Sequence, residues 1–225
     1  MGYEYEILYQ NAYTLLRVNL NGESIQAEAG AMVYKSSNIT LETQMKGGLL
    51  SSLKRKMLGA ESIFLNTFRG EGEIAFAPSY PGDITHIELR NEIWFLQGGS
   101  YLCSSPELEI DTKFQGLKGI FSREGLFFLK VSGSGDLFVS IFGALEEKKL
   151  SQEEIQVDTG HLVAFSKGIS YDVERIGGLK STMFSGEGLI LRLSGTGRLL
   201  LQSRSVEAFA SWLYPFMPIK TSKYE

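Results

Sequence analysis

Three stretches of the chain read as variants of one another: Glu61-Ser62-Ile63-Phe64-Leu65-Asn66-Thr67-Phe68-Arg69-Gly70-Glu71-Gly72, Glu124-Gly125-Leu126-Phe127-Phe128-Leu129-Lys130-Val131-Ser132-Gly133-Ser134-Gly135 and Glu187-Gly188-Leu189-Ile190-Leu191-Arg192-Leu193-Ser194-Gly195-Thr196-Gly197. Each runs from a glutamate through an apolar string into Gly-x-Gly. Gly70, Gly133 and Gly195 recur at a near-constant interval. A second series keeps the same period, and its pairs Gly30 with Gly47, Gly99 with Gly116 and Gly160 with Gly177 are equally spaced. Two signals on one period identify an internal triplication, which decides the architecture ahead of any local reading. The chain is therefore read as one three-repeat β domain over 1–225, with approximate units 1–90, 91–150 and 151–225.

The texture inside each unit is that of strands. Apolar and polar residues alternate in Tyr3-Glu4-Tyr5-Glu6-Ile7, Ile39-Thr40-Leu41-Glu42-Thr43 and Glu107-Leu108-Glu109-Ile110-Asp111, as they do in strands with one buried face. The strings Ile63-Phe64-Leu65, Leu126 to Leu129 and Leu189 to Leu191 are apolar throughout, which predicts central strands covered on both faces or buried between subunits. Each Gly-x-Gly is expected to form a tight hairpin or bulged turn, because glycine tolerates positive φ. A phosphate-cradling loop would have to lead into a helix, and these glycines separate strands.

Two segments depart from the β pattern. Leu49, Leu50, Leu53, Met57 and Leu58 fall at helical spacing beside Lys54, Arg55 and Lys56, so residues 49–58 read as a short cationic amphipathic helix. Such a helix suits a protein partner or an anionic membrane surface, or it packs as a lid on the open end of a β unit. A second helix is expected from Ser205 as N-cap, with Glu207 in its first turn and Val206, Phe209, Ala210 and Leu213 along one face, ended by Pro215 and Pro218.

Composition narrows the class of function. Lys+Arg 22 against Asp+Glu 26 gives a net charge of −4, the wrong balance for a surface that attracts phosphate backbones. The lone Cys103 cannot form an internal disulfide, and it lies in the strand-like Tyr101-Leu102-Cys103, where a free cysteine behaves as a small buried hydrophobe. The opening Met1-Gly2-Tyr3-Glu4-Tyr5-Glu6 carries no signal-peptide or myristoylation pattern, so a cytoplasmic location is expected. His86 and His161 are the two histidines, far apart in the chain and without a His-x-His, so neither a metal nor another cofactor is expected.

Asp158-Thr159-Gly160-His161 is the most site-like tetrad, since an aspartate can orient an imidazole that titrates near neutral pH. Asp158 and His161 are therefore the candidate ligand or interaction residues. The competing reading is plain turn chemistry between strand Ile155-Gln156-Val157 and strand Leu162-Val163-Ala164-Phe165, with Gly160 the counterpart of Gly30 and Gly99.

A set of ordered motifs points to a known family: Leu20-Asn21-Gly22-Glu23-Ser24-Ile25-Gln26-Ala27-Glu28-Ala29-Gly30-Ala31-Met32, Gly59-Ala60-Glu61-Ser62-Ile63-Phe64, Pro81-Gly82-Asp83-Ile84, Val157-Asp158-Thr159-Gly160-His161-Leu162-Val163-Ala164-Phe165, Gly186-Glu187-Gly188-Leu189 and Leu201-Gln202-Ser203-Arg204. Together they resemble the prokaryotic branch of the altered-inheritance-of-mitochondria family, over nearly the whole chain. Thr196 stands where that pattern would have Pro. The resemblance implies three shortened double-stranded β-helix units similar to the subunit of the tryptophan RNA-binding attenuator protein, and it supplies no reaction.

The functional expectation is an oligomeric scaffold or binding module. Small-ligand or RNA binding on an attenuator-like ring is the alternative, and an enzyme centred on His161 is the last. No nucleic acid is expected as partner, because Arg69 corresponds to Ser132 and Ser194 and no basic track recurs from unit to unit. Unpaired sheet edges at the two ends of the array favour head-to-tail association into a closed ring, expected to be a homotrimer.

Overall fold

The computed structural model describes residues 3–44, 65–111, 128–174 and 189–218. Among these residues the chain is an antiparallel β protein with one short α-helix. Its strands are β1 (Glu4–Leu8), β2 (Leu15–Glu28), β3 (Met32–Lys35), β4 (Ile39–Gln44), β5 (Leu65–Phe76), β6 (Gly82–Gln97), β7 (Tyr101–Ser104), β8 (Glu109–Asp111), β9 (Phe128–Phe142), β10 (Leu145–Asp158), β11 (Leu162–Ser166), β12 (Ile169–Glu174) and β13 (Ile190–Gln202). The basic segment containing Lys54, Arg55 and Lys56 lies outside the described residues.

Long antiparallel pairs organise the sheet: β2 with β5, β6 with β9 and β10 with β13. Short strands flank each pair, β3 and β4 on β5, β7 and β8 on β9, and β11 and β12 on β13. Two further pairings connect the groups, β7 with β2 and β11 with β6. The continuous path is β10-β13-β11-β6-β9-β7-β2-β5-β3, so β10 and β3 are its two ends.

Gly-x-Gly does not form the expected hairpins, although Gly70, Gly133 and Gly195 adopt the expected positive φ. Its glycines lie in the interiors of β5, β9 and β13, opposite register shifts at Asn21/Ser24, Arg90/Glu92 and Ser151/Glu153. Each shift contains a residue of positive φ: Gly22 at 95°, Asn91 at 59° and Gln152 at 57°. A bulge bends its strand sharply, and an interior strand glycine marks a bend or a close approach of backbone. Both apply at Gly195, where φ is 128° and an added Cβ would stand 2.3 Å from the carbonyl oxygen of Gly168, in the turn between β11 and β12. The middle residue of the motif also makes a specific contact. Ser134 Oγ accepts from the Asn91 N–H at 2.9 Å, and Thr196 Oγ1 accepts from the Gln152 N–H at 3.2 Å. A hydroxyl at Thr196 satisfies a bulge N–H that a proline there would leave unmatched.

Each long pair carries its own buried cluster. Leu16, Val18, Ile25, Phe68, Ile74 and Phe76 belong to the first. Leu89, Trp94, Tyr101, Leu129 and Val131 belong to the second. Phe128, Phe165, Leu191, Leu193 and Leu199 belong to the third. Burying one such side chain fully contributes about 1.5–3 kcal/mol.

The helix forms as its boundaries predict. Helix α1 (Val206–Leu213) is capped by Ser205, whose Oγ accepts from the Ala208 N–H, and Pro215 stands in the 3-10 turn Tyr214–Phe216 that closes it. Its apolar face is shallowly seated, with Phe209 against Phe142 at 5.5 Å between ring centres and Val206, Trp212 and Phe216 exposed.

Candidate functional site

The tetrad Asp158-Thr159-Gly160-His161 links β10 to β11 through one 3-10 turn. Asp158 Oδ1 accepts from the Gly160 N–H at 2.8 Å, the local bond for which aspartate is favoured at turns. His161 Nδ1 lies 2.7 Å from the main-chain oxygen of Gln202; a carbonyl only accepts, so Nδ1 carries the proton and is held by β13 rather than by Asp158. Gln202 completes the clasp, donating from Nε2 to Gly160 O at 2.9 Å and accepting from the Phe142 N–H at 3.0 Å. His161 thus ties the turn to the end of β13, just ahead of α1, while Asp158 closes the turn itself.

That turn forms one bank of a groove of about 480 Å³, lined also by Tyr80, Gln97, Ser100, Val206 and Ala210. Tyr80 donates its phenolic proton to Gly99 O at 3.1 Å, and burial pushes its pKa up to about 12, so it stays neutral. Among the described residues no three His, Cys, Asp or Glu side chains gather as a metal ion would require. Cys103 is buried on β7, and burial pushes its thiol up, opposite to the shift a nucleophile needs.

A second cluster, at the junction of β2 and β7, gathers residues that no sequence motif singles out as a site. Gln26 Nε2 donates to Ser104 Oγ at 3.0 Å, Ser105 O at 3.1 Å and Leu108 O at 3.2 Å, two N–H groups shared among three acceptors. Tyr101 OH lies 3.2 Å from Gln26 O and 3.0 Å from Ser104 Oγ. Gln26, Tyr101, Ser104 and Ser105 are all buried. Strand β1 covers the cluster: Tyr3 OH pairs with Ser105 Oγ at 2.8 Å and Tyr5 OH with His86 Nδ1 at 2.8 Å, while His86 Nε2 is 2.7 Å from Asp136 Oδ1. The carboxylate accepts, so the proton sits on Nε2 and Nδ1 receives the Tyr5 hydroxyl. Burial raises the phenols of Tyr3 and Tyr5, with the Asp136 charge adding to both.

The His86–Asp136 dyad invites a catalytic reading until the other long pairs are inspected. Arg17 and Glu73 meet at 3.6 Å in β2–β5, and Glu147 and Arg198 at 2.8 Å in β10–β13. All three pairs stand at the same place, five residues before the bulge on one strand and one residue after Gly-x-Gly on the other. The dyad is thus the histidine version of a recurring cross-strand pair. A charged residue following each Gly-x-Gly was the available signal in the sequence: Glu73, Asp136 and Arg198.

The two ends of the sheet path form the third feature. β7 is hydrogen-bonded on both sides, to β9 and β2, and β11 likewise, to β13 and β6. Their residues Tyr101, Leu102 and Cys103, and Leu162, Val163 and Ala164, are at most 1% exposed. Among the described residues β3 pairs with β5 alone, and its Met32, Val33 and Tyr34 are 39%, 54% and 40% exposed. Among the described residues β10 likewise pairs with β13 alone.

The family model described as Mitochondrial biogenesis AIM24 matches residues 5–204. The chain belongs to the AIM24 family. A prokaryotic relative, an uncharacterised protein of Streptococcus pyogenes serotype M6, is 29% identical over 221 residues, covering 93% of this chain and 89% of the relative. The crystal structure of the Streptococcus pyogenes protein SPYM3_0169, a structural-genomics target, superposes with a TM-score of 0.80 at 28% identity, covering 96% of this chain and all of that one. These matches place the chain in the prokaryotic branch of AIM24 proteins. Among the described residues no helix is long and apolar enough to cross a membrane.

Proposed function

We propose that this AIM24 protein is a non-enzymatic scaffold or binding module that works as a closed homotrimeric ring of attenuator-like β units. Each unit is one long pair with its short flanking strands, a shortened double-stranded β-helix bent at the bulge. The observation that carries the reading is the contrast between β3 and its counterparts β7 and β11. An edge strand bearing three exposed large apolar residues templates pairing with another chain.

The counterpart surface is supplied by β10, which stands to β3 of a second copy as β2 stands to β7 and β6 to β11. Ala27 faces Cys103 and Leu96 faces Ala164, each partner lying four residues beyond Gly99 or Gly160. Carried to the open ends, this register sets Val157 of one copy opposite Tyr34 of the next, and Gln156 opposite Lys35. Such a contact is heterologous and must close or grow without limit. Three copies close it in the attenuator-like reading. The cytoplasm is the compartment we propose, a choice supported by a single cysteine buried within a strand.

Replacing Val33 with Lys tests the edge. An exposed lysine blunts strand pairing while leaving the core of the subunit intact. Val33→Lys is expected to shift the assembly to single subunits in size-exclusion chromatography, with far-UV circular dichroism preserved. Assembly unchanged in the variant counts against β3 as the joining edge.

A further inference from the structure

We propose that the cleft between the β2 bulge and the turn after β7 binds a small neutral saccharide through adjacent hydroxyl groups. The inference stands on a single chain and does not need the ring. The cleft, about 480 Å³, is lined by Tyr3, Glu23, Arg69, Ser105, Glu107 and Ser134, among others. Three features set it apart from the corresponding places on the other long pairs.

The first is the connection that forms its wall. Ser105–Leu108 joins β7 to β8, whereas Lys167 and Gly168 suffice between β11 and β12. The two additional residues carry Pro106 and Glu107 outward while Ser105 and Leu108 stay buried. The second is Arg69, which precedes Gly70 where serine precedes Gly133 and Gly195. Ser194 faces its neighbour Ser170 at 3.2 Å, but Arg69 is exposed and makes no ion pair among the described residues. The third is Tyr3, which β1 brings over Ser105.

The chemistry of the lining selects the ligand. Arg69 presents a planar fork of N–H donors, and Glu23 and Glu107 present carboxylate acceptors, so donors and acceptors stand in one cleft. Glu23 Oε2 accepts from the Asn21 N–H at 2.6 Å, which leaves its other oxygen for a ligand. Ser134 Oγ accepts from Asn91 and retains its own proton to donate. Hydroxyl groups, which both donate and accept, match such a set. Two carboxylates against one guanidinium disfavour an anion, and a lining of charged and hydroxyl side chains disfavours an oily ligand. Tyr3 adds an aromatic ring to the lining, the kind of group on which the C–H side of a sugar packs.

Arg69→Ser is the informative variant, because serine already stands at both corresponding positions and the fold accommodates it there. The full chain is titrated with glucose, N-acetylglucosamine and maltotriose up to about 50 mM, a range that detects millimolar dissociation constants, and followed by saturation-transfer NMR with acetate as the anionic control. At least one of the three sugars is expected to bind saturably, with affinity reduced tenfold or more in Arg69→Ser and weakened in Glu107→Gln, and with acetate neither binding nor competing. The absence of saturable binding by all three sugars overturns the proposal. Binding that Arg69→Ser leaves unchanged overturns it, as does competition by acetate.

Discussion

The junction of β2 with β7 and the junction of β6 with β11 have the same backbone pairing and opposite contents. Gln26 faces Ser104 in the first, and Phe95 faces Phe165 in the second. Around the first pair lie Tyr101, Ser105 and the covering Tyr3 and Tyr5. Around the second, Phe95 stacks on Phe165 with ring centres 5.2 Å apart, and Phe128 meets Phe165 edge-on at 5.4 Å. Main-chain hydrogen bonds therefore suffice to set the joint, and the side chains decide what holds it. The burial that holds the aromatic joint is nondirectional, whereas the polar joint is held by bonds that each need a named partner.

Truncation should expose that difference. Phe165→Ala removes a fully buried ring at the aromatic joint, with an expected cost of about 3–5 kcal/mol. Gln26→Leu preserves bulk at the polar joint but removes the donor shared by Ser104 Oγ, Ser105 O and Leu108 O, with an expected cost of about 1–3 kcal/mol. Urea denaturation of both variants checks the ranking, and a Gln26→Leu protein as stable as the parent would show that the polar bonds contribute nothing net.

Alkaline pH separates the joints more gently. Burial raises the Tyr3 and Tyr101 phenols above the ordinary value of 10.0, so folding favours their protonated forms. The associated stability is fully present below about pH 10 and is lost as pH rises toward the higher folded values. The melting temperature is expected to fall above about pH 10, and Tyr3→Phe should reduce the slope of that fall. A slope identical in Tyr3→Phe and the parent would place the alkaline sensitivity elsewhere.

Local chemistry is legible in the sequence where it depends on neighbours along the chain. Period-2 alternation marks the strand containing Tyr5, Ser205 and Pro215 bracket α1, and Asp158 with Gly160 marks a turn. Gly-x-Gly misleads because glycine serves hairpins and strand bends equally well, and only the register of β5, β9 and β13 against their partners separates the two. Gln26, His86 and Asp136 are illegible as a group for a related reason: His86 meets Tyr5 across 81 residues and Gln26 meets Ser104 across 78. Such contacts depend on which strands pair and in which register, and no periodicity of a single strand carries that information.

The joints inside the chain also define what its open ends lack, and in the proposed ring a second copy supplies it. Multi-angle light scattering at micromolar concentration tests this most directly. The expected mass is three times the 25.0 kDa of one chain. A stable 25.0 kDa species would contradict the ring.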